Sequence, residues 1–287
     1  MVIFKGTEDI SHYLTTQRRL GYNVGFVPTM GALHDGHISL IINAIKICDT
    51  VVCSIFVNPT QFNNPEDFQK YPSTLEADIK LLTQAGTDVL FLPDVAEIYP
   101  EGTSSLPHYQ LDNLEMILEG RSRPGHFQGV CQVMHRLLET VGPCRLFMGL
   151  KDYQQCMVVD WLIKDKSLPV QLETLPTFRE KSGLAMSSRN MRLDNEQLVL
   201  ASSIYECLVD LKERLAPGSL ISLKNSGVAF LASKGFEVDY VEIADAETLE
   251  IENEWNGRKP LVFLIAAFLG NVRLIDNLVM NRGSEGT

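Results

Sequence analysis

Short β-rich runs alternate with helical patterns through the first half of the chain, and few folds accept that alternation. Val24–Val27 reads as a strand, followed by a helix over Gly36–Cys48 with Ile38, Ile41, Ile42 and Ile45 on one side. Val51–Val57 is a strand whose apolar residues run almost unbroken, as expected when both faces are covered. Glu66–Ala85 is expected to be helical and Asp88–Leu92 to be a further strand. A loop rich in Pro, Gly and Ser leads to a helix after Pro124, and Arg145–Met148 reads as another strand. Strand–helix alternation of this kind predicts a Rossmann-like, doubly wound parallel sheet, with ligands beyond the carboxyl ends of its strands.

The texture changes near residue 190. Asn195–Leu215 reads as one amphipathic helix closed by Pro217-Gly218, and Leu220–Lys234 as a second. Strands are expected at Phe236–Ile243, Leu261–Leu269 and Val272–Asn277, which together describe a small α+β unit. The expected division is therefore a Rossmann-like α/β domain over 1–180 and a smaller C-terminal α+β lid domain over 181–287. The active site is expected between them, with the Ser187–Arg189 loop moving on closure.

Composition removes several function classes. The formal charge is −11, the wrong sign for non-specific nucleic-acid binding. The longest apolar run, Leu261–Leu269, is about half the length that a membrane-spanning helix needs. Met1–Lys5 is too short an apolar start for a signal peptide. Cys48, Cys53, Cys131, Cys144, Cys156 and Cys207 show neither a CxxC pair nor zinc spacing. Reduced cysteines serving as small core hydrophobes, in a cytoplasmic protein, fit that pattern.

The strongest local signal is Pro28-Thr29-Met30-Gly31-Ala32-Leu33-His34-Asp35-Gly36-His37, where a predicted strand runs into a predicted helix. Gly31 permits a tight turn, and Gly36 lets a ligand approach the backbone. Free N–H groups and the helix dipole at such a terminus favour phosphate. His34 and His37 can project from one side of the first turn, where two donors can stabilise charge on phosphorus oxygens and departing pyrophosphate. These features reach as far as ATP and a small carboxylate.

The H-x-G-H string after a strand resembles the nucleotidylyl-transferase superfamily, and the longer strings narrow the resemblance to pantothenate synthetases. Those strings are Val27–His37, Phe56–Phe62, Glu119–Phe127, Lys151–Gln155 and Arg179-Glu180 with Met186–Asn190, in the family's order from about residue 24 to 195. The family joins pantoate to β-alanine through a pantoyl-adenylate, releasing pyrophosphate and then AMP.

The resemblance implies a nucleotide site of Met30, Gly31, His34, His37, Gly149, Leu150, Lys151, Asp152, Phe178, Met186, Ser187, Ser188 and Arg189. Catalysis would rest on His34, His37 (the implied acid), Lys151, Ser187, Ser188 and Arg189. Gln61 and Gln155 would bind pantoate, Gln61 also β-alanine, and Asn58, Arg123 and His126 would be further pantoate or β-alanine contacts, the last two in a loop near the reacting centre. A glutamine amide suits that work, since it donates and accepts. ATP with Mg²⁺ and a homodimer are further implications; the metal ligands are not defined, Asp78 being a weak candidate. The sequence departs from the family's usual Gly-Glu-Lys-Asp at Gly149-Leu150-Lys151-Asp152. Two other readings compete: another nucleotidyl-transferring enzyme such as a phosphopantetheine adenylyltransferase, and a nucleotide-binding protein that has lost catalysis.

Overall fold

The alternation in the first half builds a six-stranded parallel sheet with helices on both faces. The computed structural model describes residues 1–63, 68–69 and 71–280. The chain divides into two compact units, Met1–Pro176 and Thr177–Thr287. In the first, β1 (Val2–Phe4), α1 (Thr7–Arg19), β2 (Val24–Thr29), α2 (Asp35–Ile47) and β3 (Thr50–Ile55) are followed by a helix at Leu75–Ala85 and by β4 (Val89–Phe91). A helix at His126–Val141, β5 (Cys144–Gly149), a helix at Tyr153–Asp165 and β6 (Val170–Leu175) complete it. The strand order is β1-β4-β3-β2-β5-β6, every pairing parallel. From β2 the chain moves one way through β3 and β4, and β5 and β6 lie on the other side. The order thus reverses between β2 and β5, the place where open α/β sheets leave a ligand crevice. These two strands pair only at Gly25–Arg145 and Phe26–Leu146 and part beyond that point.

All six residues of β3 are buried, as its unbroken apolar run requires. Phe26, Val52 and Leu146 face one core layer with Ile10 and Leu14 of α1 and the helix His126–Val141. Val27, Val51, Cys53, Leu90 and Phe147 face the other, with Ile41, Ala44 and Leu82. The α2 stripe differs from expectation by one position. Leu40, Ile41 and Ala44 are buried, while Ile42 and Ile45 are 45% and 39% exposed. The reason lies under the helix: a β-carbon added at Gly25 would sit 3.3 Å from the Ala44 β-carbon. A glycine–alanine contact allows that approach, and isoleucine there would hold the helix off the sheet.

The helix expected over Glu66–Ala85 is interrupted: Phe68 and Gln69 are helical, Tyr71–Thr74 is not, and a helix runs over Leu75–Ala85, while Glu66 itself lies outside the described residues. Pro72 has no N–H to continue a helix there. The edge strands β1 and β6 and the helices α1 and Tyr153–Asp165 have no counterpart in the sequence reading.

The second unit carries a three-stranded antiparallel sheet in which Leu261–Leu269 lies between Glu237–Asp245 and Val272–Met280. The helix expected over Asn195–Leu215 is two helices, Asn195–Ala201 and Ser203–Glu213. At the break the Ser202 hydroxyl donates to the Val199 carbonyl at 2.8 Å, one of the local bonds by which serine competes with a continuous helix. A further helix spans Ile221–Ser233. All six cysteines are free thiols, and burial pushes Cys53 and Cys144 up to about 12. Among the described residues no helix is long and apolar enough to cross a membrane.

Candidate active site

The loop between β2 and α2 is held from below by one carboxylate. Asp78, 2% exposed on the helix Leu75–Ala85, accepts from Ala32 N at 3.0 Å, Leu33 N at 2.8 Å and Thr74 Oγ1 at 3.1 Å. Gly31 has φ +82° and Ala32 φ +49°, so the carboxylate fixes a turn that its own backbone would not favour. It also stands close to Gly31, whose added β-carbon would lie 3.1 Å from Asp78 Oδ2. The metal candidate of the sequence is therefore the anchor of the turn. Among the described residues no three His, Cys, Asp or Glu side chains form a group that could hold a metal ion.

That turn delivers His34 to the N-cap of α2 and His37 to its first turn. His34 N donates to His37 Nδ1 at 3.3 Å, so the His37 ring proton sits on Nε2. The two rings lie 4.0 Å apart between centroids, and His34 Nδ1 is buried without a hydrogen-bond partner among the described residues. Burial lowers His34 to about 4, with the Lys151 ammonium adding to the effect. Burial lowers His37 to about 3, with His34 as the next cause. Both imidazoles are neutral at pH 7, and His37 offers a proton on Nε2 rather than a positive charge. Lys151 and Asp152, in the short 3₁₀ turn Leu150–Asp152 after β5, act on both rings and pair with each other at 3.2 Å. The ends of β2 and β5 thus bring His34, His37, Lys151 and Asp152 together.

These histidines set a pH dependence. In the unfolded chain they titrate near 6.5. Between about pH 4 and 6.5 the unfolded state binds more protons than the folded one, so stability rises with pH and levels off above that window. Melting temperatures of the unliganded protein should climb from pH 4 to 6.5. The double variant His34→Gln/His37→Gln should climb less steeply; an equal slope would locate the titration elsewhere.

A second polar cluster surrounds Gln61, at the end of the 3₁₀ turn Pro59–Gln61. Gln61 Nε2 donates to Met30 Sδ at 3.2 Å, which joins this cluster to the residue after β2. His126 Nδ1 donates to the Gln61 carbonyl at 2.8 Å, and Arg123 Nη1 donates to His126 Nε2 at 3.0 Å. Arg123 and His126 thus hold the Gln61 backbone. Asn58 is 1% exposed, and its amide is fully engaged: Nδ2 donates to Gln61 Oε1 and the Gly129 carbonyl, and Oδ1 accepts from Thr60 and Tyr99. Asn58 thereby supports Gln61 directly. Gln155 is partly exposed on the helix Tyr153–Asp165, and its side chain makes no hydrogen bond to another described residue. Its neighbour Gln154 is the buried one, donating to Leu114 and Ile117 carbonyls and accepting from Glu119 N.

Phe178, Met186, Ser187, Ser188 and Arg189 belong to the second unit. Met186 N donates to the Phe178 carbonyl at 3.0 Å, closing a hairpin in which Arg179 bridges Ala185. The Arg179 guanidinium is bidentate on buried Asp276 at 2.5 and 2.9 Å, donates to the Gly183 and Asn277 carbonyls, and lies 3.9 Å from the Tyr205 ring centroid. After the hairpin, Ser187 Oγ accepts from Arg189 N, and Asn190 Nδ2 donates to the Ala185 carbonyl at 3.0 Å. The sequence pointed to Arg179 only as part of a string; its partner Asp276 carries no local signal.

A parallel sheet with a polar constellation at its switch point defines a Rossmann-like α/β enzyme. The profile of the pantoate-beta-alanine ligase family matches residues 2–279. Pantothenate synthetase from Cytophaga hutchinsonii is 43% identical over 285 residues, covering 98% of this chain and 99% of that protein. The Shewanella oneidensis pantothenate synthetase is 42% identical, over 98% and 100%. The crystal structure of pantothenate synthetase from Thermus thermophilus superposes with TM-score 0.88 at 39% identity, over 97% of this chain and 99% of that one. A pantoate-beta-alanine ligase from Francisella tularensis, solved with beta-gamma ATP and β-alanine, gives TM-score 0.81 at 39% identity, over 97% of each chain. The chain belongs to the pantoate-beta-alanine ligase family.

Proposed function

We propose that the chain condenses (R)-pantoate with β-alanine through an enzyme-bound pantoyl-adenylate, with ATP converted to AMP and pyrophosphate. The observation that carries this reading is the neutral histidine pair beside Lys151 and Asp152 at the switch point of the sheet. A carboxylate needs activation before an amine can displace anything from it, and the α-phosphate of ATP supplies that activation. His37 donates from Nε2 to a phosphate oxygen, and Lys151 places a positive charge beside it. Met30, Gly31 and Gly149–Asp152 line the nucleotide, with Phe178 and Met186–Arg189 as further nucleotide contacts. Arg189 neutralises pyrophosphate as it leaves, with Ser187 and Ser188 as phosphate donors. Gln61 and Gln155 bind the acid substrates, and Arg123, His126 and Asn58 hold Gln61 in place. The F. tularensis relative, solved with an ATP compound and β-alanine, supports two of the three substrates. Magnesium, as is usual for it, would be held mainly by the nucleotide phosphates in this reading. The working form is a cytoplasmic homodimer that binds neither nucleic acid nor membrane.

Exchange of labelled pyrophosphate into ATP, with pantoate present and β-alanine absent, tests the reaction. Exchange should require pantoate, and adding β-alanine should release AMP and form pantothenate. Exchange independent of pantoate, or none with ATP bound, would sink the adenylate route. Leu150 adds a further expected result: Leu150→Glu should lower the KM for ATP about two- to fivefold, as a partly exposed charge would. A KM unchanged across a magnesium titration would show that only the backbone matters there.

A further inference from the structure

Backbone groups and the Tyr99 hydroxyl together hold the Asn58 amide in one sense. Thr60 N, which can only donate, faces Oδ1 at 3.3 Å, and the Gly129 carbonyl, which can only accept, faces Nδ2 at 3.1 Å. Tyr99, 2% exposed, donates its hydroxyl to the same Oδ1 at 2.8 Å, the shortest bond in the group. Burial raises the Tyr99 pKa, so the hydroxyl keeps its proton. With Asn58 fixed, its second Nδ2 hydrogen goes to Gln61 Oε1 at 3.1 Å. Gln61 thus uses its acceptor inward and turns Nε2 toward Met30, whose thioether is a weak acceptor.

We infer that Tyr99, acting through Asn58, is a positioning residue that makes Gln61 a hydrogen-bond donor to a substrate carboxylate. The inference rests on the reading of Gln61 as a binding residue. A carboxylate oxygen only accepts, so it fits an outward Nε2 and is repelled by an outward Oε1. A hydroxyl does both and gains nothing from either sense. The pantoate and β-alanine carboxylates share this chemistry, and their amides distinguish them.

Two variants test it in the full-length protein. Tyr99→Phe removes the hydroxyl and keeps the ring. Asn58→Leu is uncharged and close in volume, and it frees Gln61 to turn either way. Calorimetric titration would compare pantoate with pantoamide and β-alanine with β-alaninamide, with ATP affinity and melting temperature as controls. For the acid that meets Gln61, the acid-to-amide affinity ratio should fall about threefold in Tyr99→Phe and about tenfold in Asn58→Leu. Affinity for ATP should stay constant. A role confined to stability would weaken acid and amide alike. An unchanged ratio in Tyr99→Phe, with melting preserved, overturns the inference whether or not Asn58→Leu folds. If the unaltered protein binds neither acid, the reading of Gln61 itself fails, and the inference falls with it.

Discussion

Gly129→Ala should abolish turnover and cost about 3 kcal/mol or more of stability, as forced overpacking does. A β-carbon there would sit 2.3 Å from the Thr60 carbonyl oxygen, 2.5 Å from its carbon and 2.6 Å from Gln61 Cα. All three are backbone atoms, so no side chain can swing aside. Either the helix His126–Val141 backs away, which opens the core around Phe127 and Val130, or the turn Pro59–Gln61 moves. Both responses break the His126 bond to the Gln61 carbonyl and the Asn58 bond to the Gly129 carbonyl. Thermal melts and calorimetric titration with pantoate would read the two responses separately. A variant that melts and turns over like the parent would show that the helix and turn do not meet in this way.

Asp78→Asn should be nearly as damaging, through charge and hydrogen-bond count rather than volume. The substituted amide keeps one acceptor for Ala32 N or Leu33 N and points an N–H at the other, leaving a buried donor unsatisfied. Losing charge-assisted bonds and stranding a donor amounts to about 2–4 kcal/mol. Because Ala32 sits at φ +49°, the released turn should relax toward ordinary backbone and carry His34 and His37 with it. ATP affinity should therefore fall by more than tenfold in any variant that remains folded, measured by equilibrium titration. Asp78→Glu should not restore it, since the extra methylene pushes the carboxylate into Gly31.

Asp78 shows where sequence reading stops. The strand–turn–helix around His34 and His37 is local, so glycine spacing and the end of an apolar run were enough to locate it. The parallel sheet was legible for the same reason, since buried strands such as Thr50–Ile55 announce themselves by unbroken apolar runs. The partners were not legible. Asp78 lies 46 positions from Ala32 and Tyr99 lies 41 from Asn58, and no periodicity connects residues that meet only after folding. Edge strands were missed because Val2–Phe4 is short and Val170–Leu175 is only partly buried, so neither shows a clear pattern. The α2 stripe slipped by one position because the strength of the pattern lay in isoleucines. What set the contact was the smallest side chain, Ala44 over Gly25.

The pairing of Arg179 with Asp276 has a consequence for how the polypeptide matures. The hairpin Phe178–Met186 can close from neighbouring residues as soon as it is synthesised, but its guanidinium meets its carboxylate only 97 positions later. Asp276 sits on the last strand of its sheet, Val272–Met280, which pairs along its whole length with Leu261–Leu269. Until Asp276 has been made, the hairpin that leads into Met186–Arg189 has its local bonds but lacks this ion pair. A chain cut before Asp276 would leave the hairpin in the same immature condition, with every one of its own residues still present.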